Sequence, residues 1–287
     1  MVEATAERAV PIVDGHAHIF TRAVPFAADA HSRPAYEYPV EAYRADLARH
    51  GLTHGVIAAA SLYGENNSYT LEALAAYPAM LRGTVIVSPE TTSGALRDLA
   101  GRGVVGVRLV WRRLTALPDL TADPWRTHLR NLADAGLHVE LLAGGDRLPA
   151  LLPALANSGV RVVLDHFGAP SAVQGANGEG MDAIVRAVAG GRLWVKLSAG
   201  YRLPFALARA CAARLTAEAG PERLLWGSDA PFVNHEANVD YAGGLALYRR
   251  LVPDARTRAA IDATALEFFF HERSQENGPQ GQGDRDR

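Results

Sequence analysis

Lysine is almost missing from this chain: Lys196 is the single one among 29 basic residues, and the rest of that charge is arginine. Cysteine is just as scarce, with Cys211 alone, which excludes an internal disulfide framework and fits a reducing compartment. The 29 basic residues face 31 acidic ones, a net charge of −2, so no broad field favours nucleic acid or an anionic membrane. No apolar run reaches the ~20 residues of a membrane helix. The first residues, MVEATAERAV, lack a basic segment followed by an apolar one, so no signal peptide and a cytoplasmic location are expected. Neither G-x-G-x-x-G nor G-x4-G-K-[ST] follows an early strand pattern, which argues against a nucleotide-binding sheet.

What the sequence does contain is alternation. Short runs rich in Val, Ile and Leu at 10–18, 55–60, 83–88, 104–110, 137–142, 160–166, 192–198 and 223–229 predict strands buried on both faces. Between and after them, apolar residues at three- and four-residue spacing predict helices over 40–50, 69–77, 93–101, 124–135, 147–158, 180–190, 205–219 and 238–251. Gly51, Gly136, Gly159 and Gly220 follow helix ends, where a left-handed cap belongs. Eight strand–helix units in one α/β chain predict a single-domain (β/α)8 barrel over 10–272. Residues 1–9 form an N-terminal extension in this reading, and 273–287, without an apolar residue, a disordered tail.

In such a barrel the active site lies at the C-terminal strand ends. Five of the predicted ends carry His, Asp or Arg: Asp14, His16 and His18; Arg108, leading to Arg112 and Arg113; Asp165 and His166; Ser198, leading to Tyr201 and Arg202; and Ser228 and Asp229. Alternation along a strand places Asp14, His16 and His18 on one face. A His-x-His pair suits either a metal ion or two hydrogen-bond donors to a substrate. With His166 and Asp229 it would complete a divalent metal site, and Asp229 would also suit a general base. Each residue has a plainer explanation too: a solvated strand end for the histidines and arginines, a helix N-cap for Asp229 ahead of Ala230-Pro231. The arginines point to an anionic substrate, because a guanidinium matches a carboxylate in bidentate fashion. Lys196, in mid-strand, requires an acidic partner if it points inward, and a structural ion pair is expected over a Schiff base.

The motifs VDGHAHIF, LDHFGAP, VKLSAGYR and LLWGSDAPF, with AASLYGENNSYTLEAL and GVRLVWRRL, resemble those of the amidohydrolase-2 family over about residues 10–270. The resemblance is closest to its branch of pyrone-dicarboxylate, sugar and muconolactone lactonases. It implies that His16, His18 and His166 polarise a carbonyl, directly or by holding a divalent ion (Zn or Mn) with Asp229, and that Asp229 activates water. It further implies that Ser61, Tyr63 and Asn67 contact substrate from the loop after the second strand. Arg108, Arg113 and Arg202, with Tyr201 beside them, would hold its carboxylates. Three departures stand out. Ala169 occupies a position where dicarboxylate lactonases tend to have arginine. The segment RLVWRR is one residue short, so Arg112 and Arg113 compete for one role. The fifth strand offers Glu140, and its histidine, His138, lies near its start.

The activity expected is hydrolysis of a carboxylated lactone or related cyclic ester, with no organic cofactor, a small anionic substrate as partner and no bar to a homo-oligomer. The alternatives are a zinc-dependent decarboxylase of an aromatic or muconate-type acid and a non-catalytic binding barrel. The segment TRAVPFAADAHSRPAYEYP suggests a lid, with Tyr36 and Tyr38 available for ring contacts.

Overall fold

A computed structural model describes residues 11–271; the extension 1–9 and the tail 273–287 lie outside the described residues. The strands are β1 (Val13–Ala17), β2 (His54–Ile57), β3 (Leu81–Val85), β4 (Val104–Val110), β5 (His138–Leu142), β6 (Val162–Leu164), β7 (Leu193–Leu197) and β8 (Leu224–Trp226). The helices are α1 (Val40–Arg49), α2 (Ser68–Ala76), α3 (Ser93–Gly101), α4 (Trp125–Asp134), α5 (Leu148–Asn157), α6 (Glu179–Val188), α7 (Phe205–Glu218), α8 (Tyr241–Leu251) and α9 (Ala255–Phe270). All strand pairs are parallel and follow chain order from β1 to β8. Beyond the end of β8 the ring closes. The His18 amide donates to the Ala230 carbonyl and the Asp229 amide to the His16 carbonyl, both at 2.8 Å. This is the (β/α)8 barrel that the alternation predicts. Gly51 and Gly136 take φ of +79° and +72° just past α1 and α4, a backbone that favours glycine.

Two features depart from expectation. The first is α9, which the periodicity passed over after eight units were counted. Asp254 caps it by accepting from the Thr257 amide at 2.7 Å. Its residues Ala265 and Phe269 join Val13, Val56, Val163 and Leu225 in a buried cluster, closing the end of the barrel opposite the strand C-termini. Asp262 on the same helix accepts from the amides of Ile12 and Val13, at 2.6 and 3.0 Å, and so anchors the start of β1.

The second is a bulge in β1. Between the pairs Asp14–Gly55 and Ala17–Ile57 the first strand carries one extra residue. A bulge breaks strict alternation, so Asp14 and His16 do not share a face, contrary to the strand pattern. Asp14 turns toward the helical layer, accepting from the Tyr241 hydroxyl of α8 at 2.9 Å and the Ser228 hydroxyl at 2.6 Å. His16 turns into the barrel.

Candidate active site

Three imidazoles meet one carboxylate at the mouth of the barrel. The Nε2 atoms of His18, His16 and His166 stand 3.5, 3.6 and 3.9 Å from Asp229 Oδ1. The His16 ring lies 5.0 Å from that of His18 and 4.9 Å from that of His166, centroid to centroid. His166 and Asp229 both adopt left-handed backbone, with φ of +53° and +63°. Such a conformation at a non-glycine residue costs on the order of 1 kcal/mol and clusters at functional sites. It turns the chain sharply at the ends of β6 and β8. No helix begins at Asp229, which disposes of its N-cap explanation: α8 starts at Tyr241 and is capped by Asp240.

Each imidazole is held from behind through Nδ1. The Ala58 carbonyl lies 2.9 Å from His18 Nδ1, the Ser198 hydroxyl 2.8 Å from His166 Nδ1, and the Lys196 ammonium 3.0 Å from His16 Nδ1. Burial, with Lys196 second, lowers His16 to about 4, and burial lowers His166 to about 3, so both are neutral at pH 7. Burial alone would raise Asp229. A hydrogen bond from His18 and the Arg202 cation, with the neighbouring imidazoles, outweigh it and hold the carboxyl well below its usual range. Its second oxygen, Oδ2, accepts from the Tyr201 hydroxyl at 2.6 Å and from Arg202 Nε at 3.0 Å.

Beneath the histidines lies a buried group of four charges. Lys196 donates to Glu140 and lies 3.5 Å from Asp165 Oδ1, an ion pair of the kind expected for an inward lysine. Arg108 donates through Nε and Nη2 to Asp165 Oδ2 at 3.1 and 2.9 Å, and through Nη1 to the Ala59 carbonyl at 2.8 Å. It is 3% exposed, with much of its fork already engaged by protein.

The remaining predicted residues are distributed around the rim. Arg202 is 34% exposed beside Asp229. Arg112 and Arg113 are both exposed, and only Arg113 is among the charges that bear on His31. Ser61 is half-buried in the turn after β2. The Tyr63 hydroxyl accepts from the Thr21 amide at 2.7 Å and donates to the Thr21 carbonyl at 2.8 Å, so it pins the start of the lid segment. Asn67 uses its carboxamide on the Glu65 carbonyl and on both backbone groups of Ile86. Ala169 brings no charge and adopts φ of +47°.

The lid segment is closed at its base by paired backbone bonds between Phe20 and Tyr38, each 2.9 Å. Tyr36 donates to Glu236 at 2.6 Å and Tyr38 to Asp46 of α1 at 2.7 Å, so both hydroxyls are engaged by protein. His31, which sequence patterns did not single out, is lowered by burial and by the charges of Arg113, Arg108, Arg202 and His18. His235 packs edge-on against Tyr201 at 5.2 Å and was equally invisible, since both lie in loops without a periodic pattern.

The amidohydrolase family model matches residues 13–270. A 4-sulfomuconolactone hydrolase of Rhizobium radiobacter is 27% identical over 264 residues, 86% of each chain. A crystal structure of a probable 2-pyrone-4,6-dicarboxylic acid hydrolase from Acinetobacter baumannii, with citric acid bound, superposes with a TM-score of 0.85 at 31% identity. That match covers 90% of this chain and 99% of the other. A structure from Pseudomonas putida named for a putative 2-pyrone-4,6-dicarboxylic acid hydrolase gives a TM-score of 0.83 at 36% identity, covering 92% and 99%. A zinc-bound amidohydrolase from Burkholderia multivorans, at 18% identity, and a manganese-bound dihydroxybenzoic acid decarboxylase from a Polaromonas species, at 14%, share the fold. With the barrel, the strand-end histidines and the match along nearly its whole described length in hand, the chain belongs to the amidohydrolase family.

Proposed function

We propose that this enzyme hydrolyses a carboxylated lactone or a closely related cyclic ester. The observation that carries the proposal is the convergence of three imidazole Nε2 atoms on one oxygen of Asp229, beside a rim that carries the exposed Arg113 and Arg202. Relatives named for lactone hydrolysis support it, as does a neighbour holding citrate, a polycarboxylate. Arg113 and Arg202 would bind the substrate carboxylate, with Arg108 lining the floor, Tyr201 steadying Asp229 and Ser61 at the edge. Tyr63 and Asn67 act by holding the loops that border the ring.

His16, His18 and His166 then stabilise charge developing on the carbonyl oxygen. Asp229 takes the proton from water as it attacks the carbonyl carbon, and returns it to the leaving ring oxygen. An unliganded Asp229, tied to Arg202 and Tyr201, is a weak base. A substrate carboxylate that draws Arg202 toward itself loosens that pairing and raises Asp229 toward useful basicity. Binding and activation are thereby coupled through a single guanidinium.

The same donors fit a divalent ion. Atoms of His16, His166 and Asp229 lie within 4.8 Å of one another, and His16 Nε2 is buried without a hydrogen-bond partner. His16, His18, His166 and Asp229 would hold Zn or Mn, which would add positive charge at the carbonyl oxygen. Metal content after purification without chelator, and activity after metal removal, measure its contribution. A fully active metal-free protein eliminates the decarboxylase alternative, which requires the metal.

Asp229→Asn is the direct test. Loss of a general base lowers kcat by on the order of 10²–10⁴, while substrate affinity stays near that of the parent. Assay against mono- and dicarboxylated lactones, with binding followed by calorimetry, separates the two effects. A near-normal kcat in this variant would falsify the assignment of the base.

A further inference from the structure

Lys196 has one contact more than an ion pair requires. It is wholly buried in the middle of β7, and its ammonium reaches Glu140, Asp165 and His16 Nδ1. An ammonium only donates hydrogen bonds, so the nitrogen it faces at 3.0 Å must accept. A neutral imidazole has one N–H, and when Nδ1 accepts, the proton sits on Nε2. Charge balance agrees. Lys196 and Arg108 match Glu140 and Asp165, two against two, so the cluster does not call for His16 to be a cation. The competing arrangement would have Nδ1–H donate to Asp165 Oδ1. That oxygen lies 3.2 Å away but outside the angle of a good hydrogen bond, whereas the Lys196 contact meets it.

His18 is wired in the opposite sense. Its Nδ1 faces the Ala58 carbonyl, which can only accept, so Nδ1 carries a proton. The two imidazoles of the H-x-H pair are therefore held differently: Nδ1 accepts at His16 and donates at His18.

We infer that Lys196 is a positioning residue that fixes the tautomer of His16. With its ammonium on Nδ1, the unpartnered Nε2–H becomes, in the metal-stripped protein, a hydrogen-bond donor for the substrate carbonyl oxygen. This rests on the mouth being a carbonyl-polarising site, but the tautomer can be read without any substrate.

The experiment is long-range ¹H–¹⁵N correlation NMR on the full chain, labelled at histidine and stripped of metal by chelator. His16→Gln identifies the His16 signals. The expected spectrum has a protonated Nε2 and a non-protonated Nδ1 at His16, and a protonated Nδ1 at His18. A proton on Nδ1 of His16, or on both nitrogens, overturns the proposal. The perturbed form combines Lys196→Met with Glu140→Gln, removing one buried charge of each sign and leaving the Arg108–Asp165 pair. There the His16 proton should move to Nδ1, and kcat should fall about 10²-fold, as on losing one oxyanion donor, with KM little changed. A fall in kcat with an unmoved tautomer shows a merely structural lysine and rejects the inference. Should the double variant fail to fold, the wild-type spectrum still decides. If the wild type opens no lactone, the function proposed above fails, while the spectrum judges the tautomer independently.

Discussion

Arg202 and Arg113 both border the mouth, but their surroundings assign them different work. Among the described residues Arg113 has no hydrogen-bond partner, and it is exposed, so it can turn to an anion. Replacing it by alanine should raise KM about tenfold and leave kcat nearly unchanged, the signature of uniform binding. Steady-state kinetics at low ionic strength would show it, and an unchanged KM would remove Arg113 from the site. Arg202 is also bonded to Asp229, so Arg202→Ala should raise KM and lower kcat together. His16, His18, His166, Asp229 and Arg202 were legible because they stand at or just past strand ends, where chain position alone dictates location. Arg108 was placed correctly along its strand, yet sequence could not show that its fork is engaged by Asp165 and Ala59. The roles of Tyr63 and Asn67 in bracing loops were hidden for the same reason, since hydrogen-bond partners distant in sequence leave no local mark. The surroundings of His31 depend wholly on how a non-periodic segment folds.

At the scale of elements, the seam between β1 and β8 is the most demanding joint. Asp14 fastens it, accepting from the Ser228 amide at 2.8 Å, the Ser228 hydroxyl, the Tyr241 hydroxyl and the His16 amide at 3.2 Å. Asp14→Ala leaves several buried donors unsatisfied, a loss of about 3 kcal/mol, or a Tm lower by on the order of 8 °C for a chain of this size. Calorimetry of the variant checks this, and a shift of a degree or less would mean that water replaces the carboxylate. The strands and the first eight helices were legible from period and from glycine punctuation. The bulge that sends Asp14 outward was not, because an extra residue changes register without changing composition. Helix α9 was within reach, since Ile261, Ala265 and Phe269 are buried at four-residue intervals. Counting eight complete strand–helix units made a ninth helix look unnecessary, although the barrel floor needed a cover.

For the whole molecule, acid stability follows from what the barrel encloses. Glu140 is held at about 2: burial and Asp165 push it up, but Lys196 and neighbouring donors prevail. His16 and His166 are held at about 4 and about 3. All three pKa values are depressed, so the unfolded chain takes up protons before the folded one does as pH falls, and stability declines. The urea midpoint of metal-free protein should hold steady above pH 7. It should begin to fall below pH ~6.5 as the unfolded-state histidines protonate, and fall further below ~4.5, the onset for an unfolded glutamate. A midpoint constant from pH 7 to 4 would contradict the neutral, buried state of the two histidines. The grip of α9 on β1 has its own consequence for biosynthesis. Val13 finds its cover only when Phe269 arrives, and the Ile12 amide waits for Asp262. A ribosome making this chain thus releases the first strand some 250 positions before the segment that seals it, the separation that the Ile12–Asp262 bond spans. The barrel cannot finish folding piecemeal during synthesis, and its early strands must be kept from other partners until the last helix emerges.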